Sequence, residues 1–198
     1  MTPDRLRELY GEPHTLAAAK VVSTFDHHCR QFIDHATFLV LASSDGHNLD
    51  VSPKGDPAGF VQVDSDTTML IPDRPGNNRI DTLLNILAHP KVALLFMIPS
   101  VTETLRVNGT AEISDDPALC DRFQVNGRSP KTVIRVTADE IYTHCGKAPI
   151  RSGLWTPDTW PTERPVPTLF DILKDHTRLP VKDTSQNAVD EVYSRSMY

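Results

Sequence analysis

Short apolar runs and strict alternation dominate the middle of this chain, interrupted by stretches with three- and four-residue spacing. Phe38-Leu39-Val40-Leu41-Ala42 is an apolar run that stops at Ser44-Asp45-Gly46, which predicts a strand and a turn. Asn48 to Ser52 is extended again until Pro53-Lys54-Gly55-Asp56-Pro57 breaks it. Phe60 to Val63 and Thr68 to Pro72 read as a hairpin across Asp64-Ser65-Asp66, and Val92 to Ile98 as a buried strand. Glu103 to Ser114 alternates: Leu105, Val107, Ala111 and Ile113 share one face, and Thr104, Arg106, Asn108, Thr110 and Glu112 the other. Thr132 to Cys145 is one long, bent, β-prone segment.

The helical spacing falls elsewhere. The first 35 residues look helical, and Ser23 or Thr24 is placed to cap a segment that runs to about His35 with Phe25, Cys29, Phe32 and Ile33 near one face. Ile80, Leu83, Leu84 and Leu87 mark a helix that stops at His89-Pro90. Asp116-Pro117 starts another, expected to end near Asn126-Gly127. Residues 156–182 carry several prolines and one short helix around Thr168–His176, an arm laid over the domain or over a partner chain. The last dozen residues form either a helix or a loose tail. Five or six strands with short connections and two interposed helices predict a small barrel and not a βαβ sheet. The expected division is a helical segment over 1–35, a barrel domain over 36–157 and a C-terminal arm over 158–198.

Composition narrows the function classes. With 198 residues, 39% of them apolar and 23% charged, the chain suits one compact domain with a few appendages. Its longest apolar run, Val92 to Pro99, is too short to span a bilayer, and residues 1–20 show no basic region followed by an apolar block, so the expected location is the cytoplasm. A net charge of −6 argues against a nonspecific nucleic-acid binder and leaves room for a local basic pocket. Cys29, Cys120 and Cys145 are odd in number and far apart, which supports neither a disulfide framework nor a zinc site. No metal site is expected: His144 and Cys145 are strand neighbours that point to opposite faces, and His27 and His28 diverge by about 100° on a helix.

Three clusters carry candidate chemistry. In Pro72 to Arg79 a strand ends, Gly76 lets the chain turn, Asn77 and Asn78 offer capping side chains, and Arg79 sits in the first helical turn. The first N–H groups of a helix lack partners and attract anions, and Arg74 and Arg79 can add bidentate hydrogen bonds. A capped polar turn with two solvated arginines is the alternative. Lys54, in Ser52-Pro53-Lys54-Gly55, and Arg106, on the polar face of its strand, are further cations with equally ordinary surface readings. The third cluster, His144 to Trp155, ends a strand in a turn that bears Lys147, Arg151 and an indole, which suit a phosphate and a flat ring. No GxGxxG, GK[ST] phosphate loop, GxSxG or HExxH is present, which leaves an anionic, flat-ringed ligand held outside a Rossmann framework.

Four stretches in order resemble one family. Ser52-Pro53-Lys54-Gly55, Ile71-Pro72-Asp73-Arg74-Pro75-Gly76-Asn77-Asn78-Arg79, Glu103-Thr104-Leu105-Arg106-Val107-Asn108-Gly109, and His144-Cys145-Gly146-Lys147-Ala148 with Arg151-Ser152-Gly153-Leu154-Trp155 are similar to the pyridoxamine 5′-phosphate oxidase-related FMN-binding proteins over residues 35–157. The resemblance implies a mainly β fold with helices: a split β-barrel, six-stranded and antiparallel, with N-terminal helices and a C-terminal arm. It implies FMN as cofactor, held at the interface of a homodimer.

Carried over by position, the resemblance marks Ser52 and Lys54 as flavin-phosphate contacts and Arg106 as a residue beside the flavin. Arg74, Asn77, Asn78 and Arg79 become phosphate and ribityl contacts, and Lys147, Arg151 and Trp155 residues that reach the flavin of either subunit. Lys54, Arg79 and Arg106 are expected to converge on one headgroup. The arginine-rich C-terminal substrate segment of true pyridoxamine phosphate oxidases has only a faint echo in Arg178-Leu179-Pro180, so oxidation of vitamin B6 is not expected. The implied activity is FMN-dependent redox chemistry on a small molecule, with NADH or NADPH as a candidate electron donor. A flavin-storage module, a haem-binding barrel with His144 or His176 as axial ligand, and a deazaflavin F420 protein are the alternatives.

Overall fold

The alternating runs become the strands of one antiparallel sheet in the computed structural model, which describes residues 1–198. They are β1 (Phe38–Ser44), β2 (Leu49–Gly55), β3 (Gln62–Val63), β4 (Thr68–Pro72), β5 (Lys91–Met97), β6 (Thr104–Ser114) and β7 (Val133–His144). Their order across the sheet is β2-β1-β5-β6-β7-β4-β3. All seven extended segments read from the sequence become strands, one more than the six-stranded barrel that the resemblance implies, and the hairpin partner of β4 shrinks to the two residues of β3. Phe60 and Val61 lie just before it and are buried without joining the ladder.

Alternation decides what is inside. Leu39 and Leu41 of β1, Leu94 and Phe96 of β5, Leu105 and Val107 of β6, and Ile134, Val136 and Ile141 of β7 all belong to one buried cluster. Each such side chain contributes roughly 1.5–3 kcal/mol by leaving water. Helix α1 (Pro3–Tyr10) and the short α2 (Thr15–Ala19) bury nothing. Helix α3 (His27–His35) supplies Cys29 and Ile33 to the core, and α4 (Asp81–Ala88) supplies Ile86. Asp26, not Ser23 or Thr24, caps α3, its carboxylate accepting from Cys29 N–H at 2.8 Å.

Helix α5 (Pro117–Asp121) stops five residues before the predicted Asn126-Gly127 end. Those two residues, at φ 51° and 75°, instead form a tight turn closed by Arg128 N–H to Val125 O at 2.9 Å. Beyond β7 lie α6 (Lys147–Ser152), α7 (Leu169–Thr177) and α8 (Gln186–Ser196), so the final residues are helical. Val189 of α8 is the one residue of these three helices to be fully buried. No helix is long and apolar enough to cross a membrane.

The predicted bend falls where β6 meets β7, at a register shift between Asn108 and Gly109. A Cβ on Gly109 would stand 2.2 Å from the Thr137 carbonyl oxygen, which is backbone and has no room to yield. Gly109→Ala is therefore expected to cost about 3 kcal/mol or more, read as a lower denaturant midpoint; an unchanged midpoint would show that the two strands can part.

Candidate functional site

The sheet does not close on itself, and its two ends are tied by charge. Lys54 and Asp56 lie at the end of β2; Asp73 and Arg74 follow β4. Lys54 Nζ donates to Asp73 Oδ1 at 2.7 Å, and Arg74 Nε donates to Asp56 Oδ2 at 2.6 Å. The Asp56 side chain is 2% exposed and that of Arg74 18%, so the second pair is a buried one. Arg74 Nη1 also donates to the Phe123 carbonyl at 2.6 Å, and its guanidinium lies 5.5 Å from the ring centroid of Tyr198. Tyr198 donates its hydroxyl to Asp56 Oδ1 at 2.5 Å, and this bond to a carboxylate holds the phenol pKa above its ordinary value.

Around these pairs opens a cleft of about 1070 Å³. Ser52, Lys54, Arg74, Asn77, Asn78 and Arg79 all line it, so six of the ten residues marked from sequence share one site. Ser52 is fixed by a hydroxyl–carboxylate trio: its Oγ lies 3.1 Å from Asp50 Oδ2, and Thr82 Oγ1 lies 2.8 Å from Ser52 Oγ and 3.0 Å from Asp50 Oδ2. Because Thr82 is in the first turn of α4, the trio anchors that helix to β2.

The asparagines do not cap α4 as expected. Asn77 Oδ1 accepts from Arg79 N–H at 3.0 Å, inside the turn, and the N-cap position of α4 is Ile80, which offers no side-chain cap. Asn78 and Ile80 both stand at left-handed φ, 56° and 52°. Asparagine tolerates that region, whereas a β-branched residue is strained there. Arg79 lies before the helix, not in its first turn, and its exposed side chain pairs with Asp81 at 2.8 Å.

The other four residues stand outside the cleft. Arg106 projects from the outward face of β6, 3.3 Å from the Tyr142 hydroxyl and 5.7 Å from that ring's centroid, with Lys20 Nζ 5.6 Å from the same ring. Beside them the His144 pKa is lowered by burial and by the charges of Arg106 and Lys20, and its Nε2 is buried without a partner. Lys147 and Arg151 are exposed on α6, and Trp155 is half-buried after it. Lys54, Arg79 and Arg106 therefore do not converge within one chain. Strands β1 and β5 separate β6 from β2, and alternation turns Arg106 away from the core.

Sequence reading missed Arg128, Lys131 and Thr132, which line the same cleft, as does Tyr198. A signal for the loop was present: Ser129-Pro130-Lys131 repeats Ser52-Pro53-Lys54, and both tripeptides border the cleft. With them, five cations line the cleft of a protein whose net charge is −6.

Residues 25–145, more than half of the chain, match the sequence profile of the pyridoxamine 5′-phosphate oxidase family. The chain belongs to the pyridoxamine 5′-phosphate oxidase family. No curated protein matches it. Among solved structures, the H111A form of HupZ from Group A Streptococcus is 19% identical, with TM-score 0.50, covering 61% of this chain and 99% of its own. General stress protein 26 from Bacillus anthracis is 18% identical (TM-score 0.45; 57% and 88% covered), and an F420 reductase 20% identical (TM-score 0.42; 57% and 94% covered). At such identities the likeness to HupZ shows the fold alone. In this member of the family the matched profile contains both Ser-Pro-Lys tripeptides and excludes Tyr198.

Removing one partner of a buried ion pair strands the other. Asp56→Ala is expected to lower stability by about 3 kcal/mol, and Tyr198→Phe, which removes one hydrogen bond, by about 1 kcal/mol. Denaturant melts of both variants check the order; equal losses would show that Arg74 is not held by Asp56.

Proposed function

We propose that this member of the family binds FMN in the cleft, as a homodimer, and acts as an FMN-dependent oxidoreductase on a small molecule. The observation that carries the reading is the cationic cleft formed where Ser52-Pro53-Lys54-Gly55 meets Pro72 to Arg79. Its volume lies at the top of the range of about 300–1000 Å³ usual for small-molecule sites. One feature of its wall fits a phosphorylated ligand: the first turn of α4, which borders the cleft, has no side-chain cap.

In this reading Lys54, Arg74 and Arg79 form the positive wall, and Ser52, Asn77 and Asn78 offer polar contacts to phosphate and ribityl groups. The flavin supplies the hydride or electron transfer, and the chain supplies placement and electrostatics. Half-buried Tyr198 and buried Phe60, not Trp155, are the aromatic residues that line the single-chain cleft. Arg178-Leu179-Pro180 lies outside the cleft, consistent with a substrate other than a vitamin B6 phosphate.

The outward sheet face supports the dimer. One cross-strand row runs Pro53, Val40, Leu95, Arg106, Tyr142, and the next begins Val51, Ala42, Ala93. Apolar side chains left on an outer face call for a cover, and a second copy seated there brings Arg106 to the boundary between subunits. Lys147, Arg151 and Trp155 would act from that partner or not at all.

The spectrum of the purified protein is expected to show oxidised flavin, and protein stripped of ligand to rebind FMN. A colourless protein unable to rebind it ends the reading, and mass spectrometry of the released ligand separates FMN from F420 or haem. Anaerobic reduction by NADH or NADPH, followed by reoxidation with candidate acceptors, is expected of an oxidoreductase; an inert bound flavin would leave a storage module. Light scattering is expected to give a dimer that Leu95→Glu converts to a monomer, whereas wild-type monomers with FMN tightly bound would remove the interface.

A further inference from the structure

We propose that Lys131, assisted by Arg128, is the residue by which the cleft selects a phosphorylated ligand over the same ring system without phosphate; the proposal rests on the flavin reading above. The cations marked from sequence are already matched. Lys54 is paired with Asp73, Arg74 with Asp56 and Arg79 with Asp81, each at 2.6–2.8 Å. To an arriving dianion such a pair presents a dipole, whose field falls off faster than that of a lone cation. Pulling any of the three toward a ligand would strand its carboxylate, and for Asp56 that carboxylate is buried.

One of the five cleft cations, the exposed Lys131, has neither a carboxylate within 4 Å nor any hydrogen-bond partner, whereas Arg128 Nη1 donates to the main-chain oxygen of Tyr198 at 2.6 Å. Both sit on one loop that is fixed at several points. The Asn126-Gly127 turn starts it, Ser129 Oγ donates to Asp121 Oδ1 at 2.6 Å, Pro130 is buried, and Asp73 N–H donates to Thr132 O at 3.0 Å. The backbone beneath Lys131 is thus already ordered, so a bound anion has only the lysine side chain left to fix. Beside Lys131, Thr132 also lines the cleft, with its hydroxyl oxygen buried and unpartnered.

The test compares FMN with riboflavin, the same ring lacking phosphate, by fluorescence titration of the full-length protein. Wild type is expected to prefer FMN, and Lys131→Ala to lose about tenfold in FMN affinity with riboflavin affinity unchanged. Lys131→Arg is expected to keep most of the preference, and Arg128→Ala with Lys131→Ala to lose more. Because Lys131 is exposed, thermal melts of the single variant are expected to match wild type. The proposal is overturned if Lys131→Ala binds FMN like wild type, or if it loses FMN and riboflavin equally. A wild-type protein that ignores both flavins overturns the flavin reading itself, and this proposal with it.

Discussion

An open sheet must do something with its two ends, and here the solution is two crossed ion pairs. Strand β2 lies at one end of the order and β4, with its short partner β3, at the other. Lys54 reaches from the first to Asp73, and Arg74 reaches back from the second to Asp56. The spacing that permits this is local: Lys54 and Asp56 are two apart on an extended segment, so they share a face, and Asp73 and Arg74 follow at the end of β4. A lone buried charge would be costly, whereas a hydrogen-bonded pair with further donors to its carboxylate is tolerated. Asp56 has two donors, Arg74 and Tyr198. Three of the four paired groups, Lys54, Asp73 and Arg74, thus line the cleft as well.

That arrangement bears on how an acidic protein could offer the proposed anion site. The excess of six negative charges is spread over a surface of 13164 Å², and exposed charges are screened beyond about 8 Å at physiological salt. What a ligand meets inside the cleft is set by neighbours, not by the total. There the ion pairs cancel, the Asp50 carboxylate is occupied by hydroxyls, Arg128 is bonded to the main-chain oxygen of Tyr198, and Lys131 is left without a partner.

The strands were legible because burial of one face leaves a period of two in the sequence, as in Leu105, Val107, Ala111 and Ile113. Helix ends were less so. Asn-Gly ends helices and also makes hairpin turns, and at Asn126-Gly127 the second use won; Asp26 out-competed two hydroxyl caps that stood earlier in the chain. For the site, Ser52 to Lys54 and Arg74 to Arg79 were found together because each flanks the end of a strand at the open seam. The order of strands across the sheet is not written in their order along the chain, so nothing local told that Arg106 would lie across two strands from that seam. Nor could any local pattern bring Tyr198 to Asp56, a separation of 142 residues.

Stability and recognition ask different things of a cation. One that closes a seam must stay with its carboxylate; one that greets a ligand must be uncommitted and still well placed. In this cleft our proposal assigns the two duties to different copies of the same tripeptide, Lys54 being bound to Asp73 and Lys131 left without a carboxylate on a pinned loop. Tyr198 joins the two, since its hydroxyl meets Asp56 of the seam and its carbonyl meets Arg128 of the loop. The wall and the loop are therefore linked through Tyr198 as well as through the Asp73 N–H bond to Thr132 O.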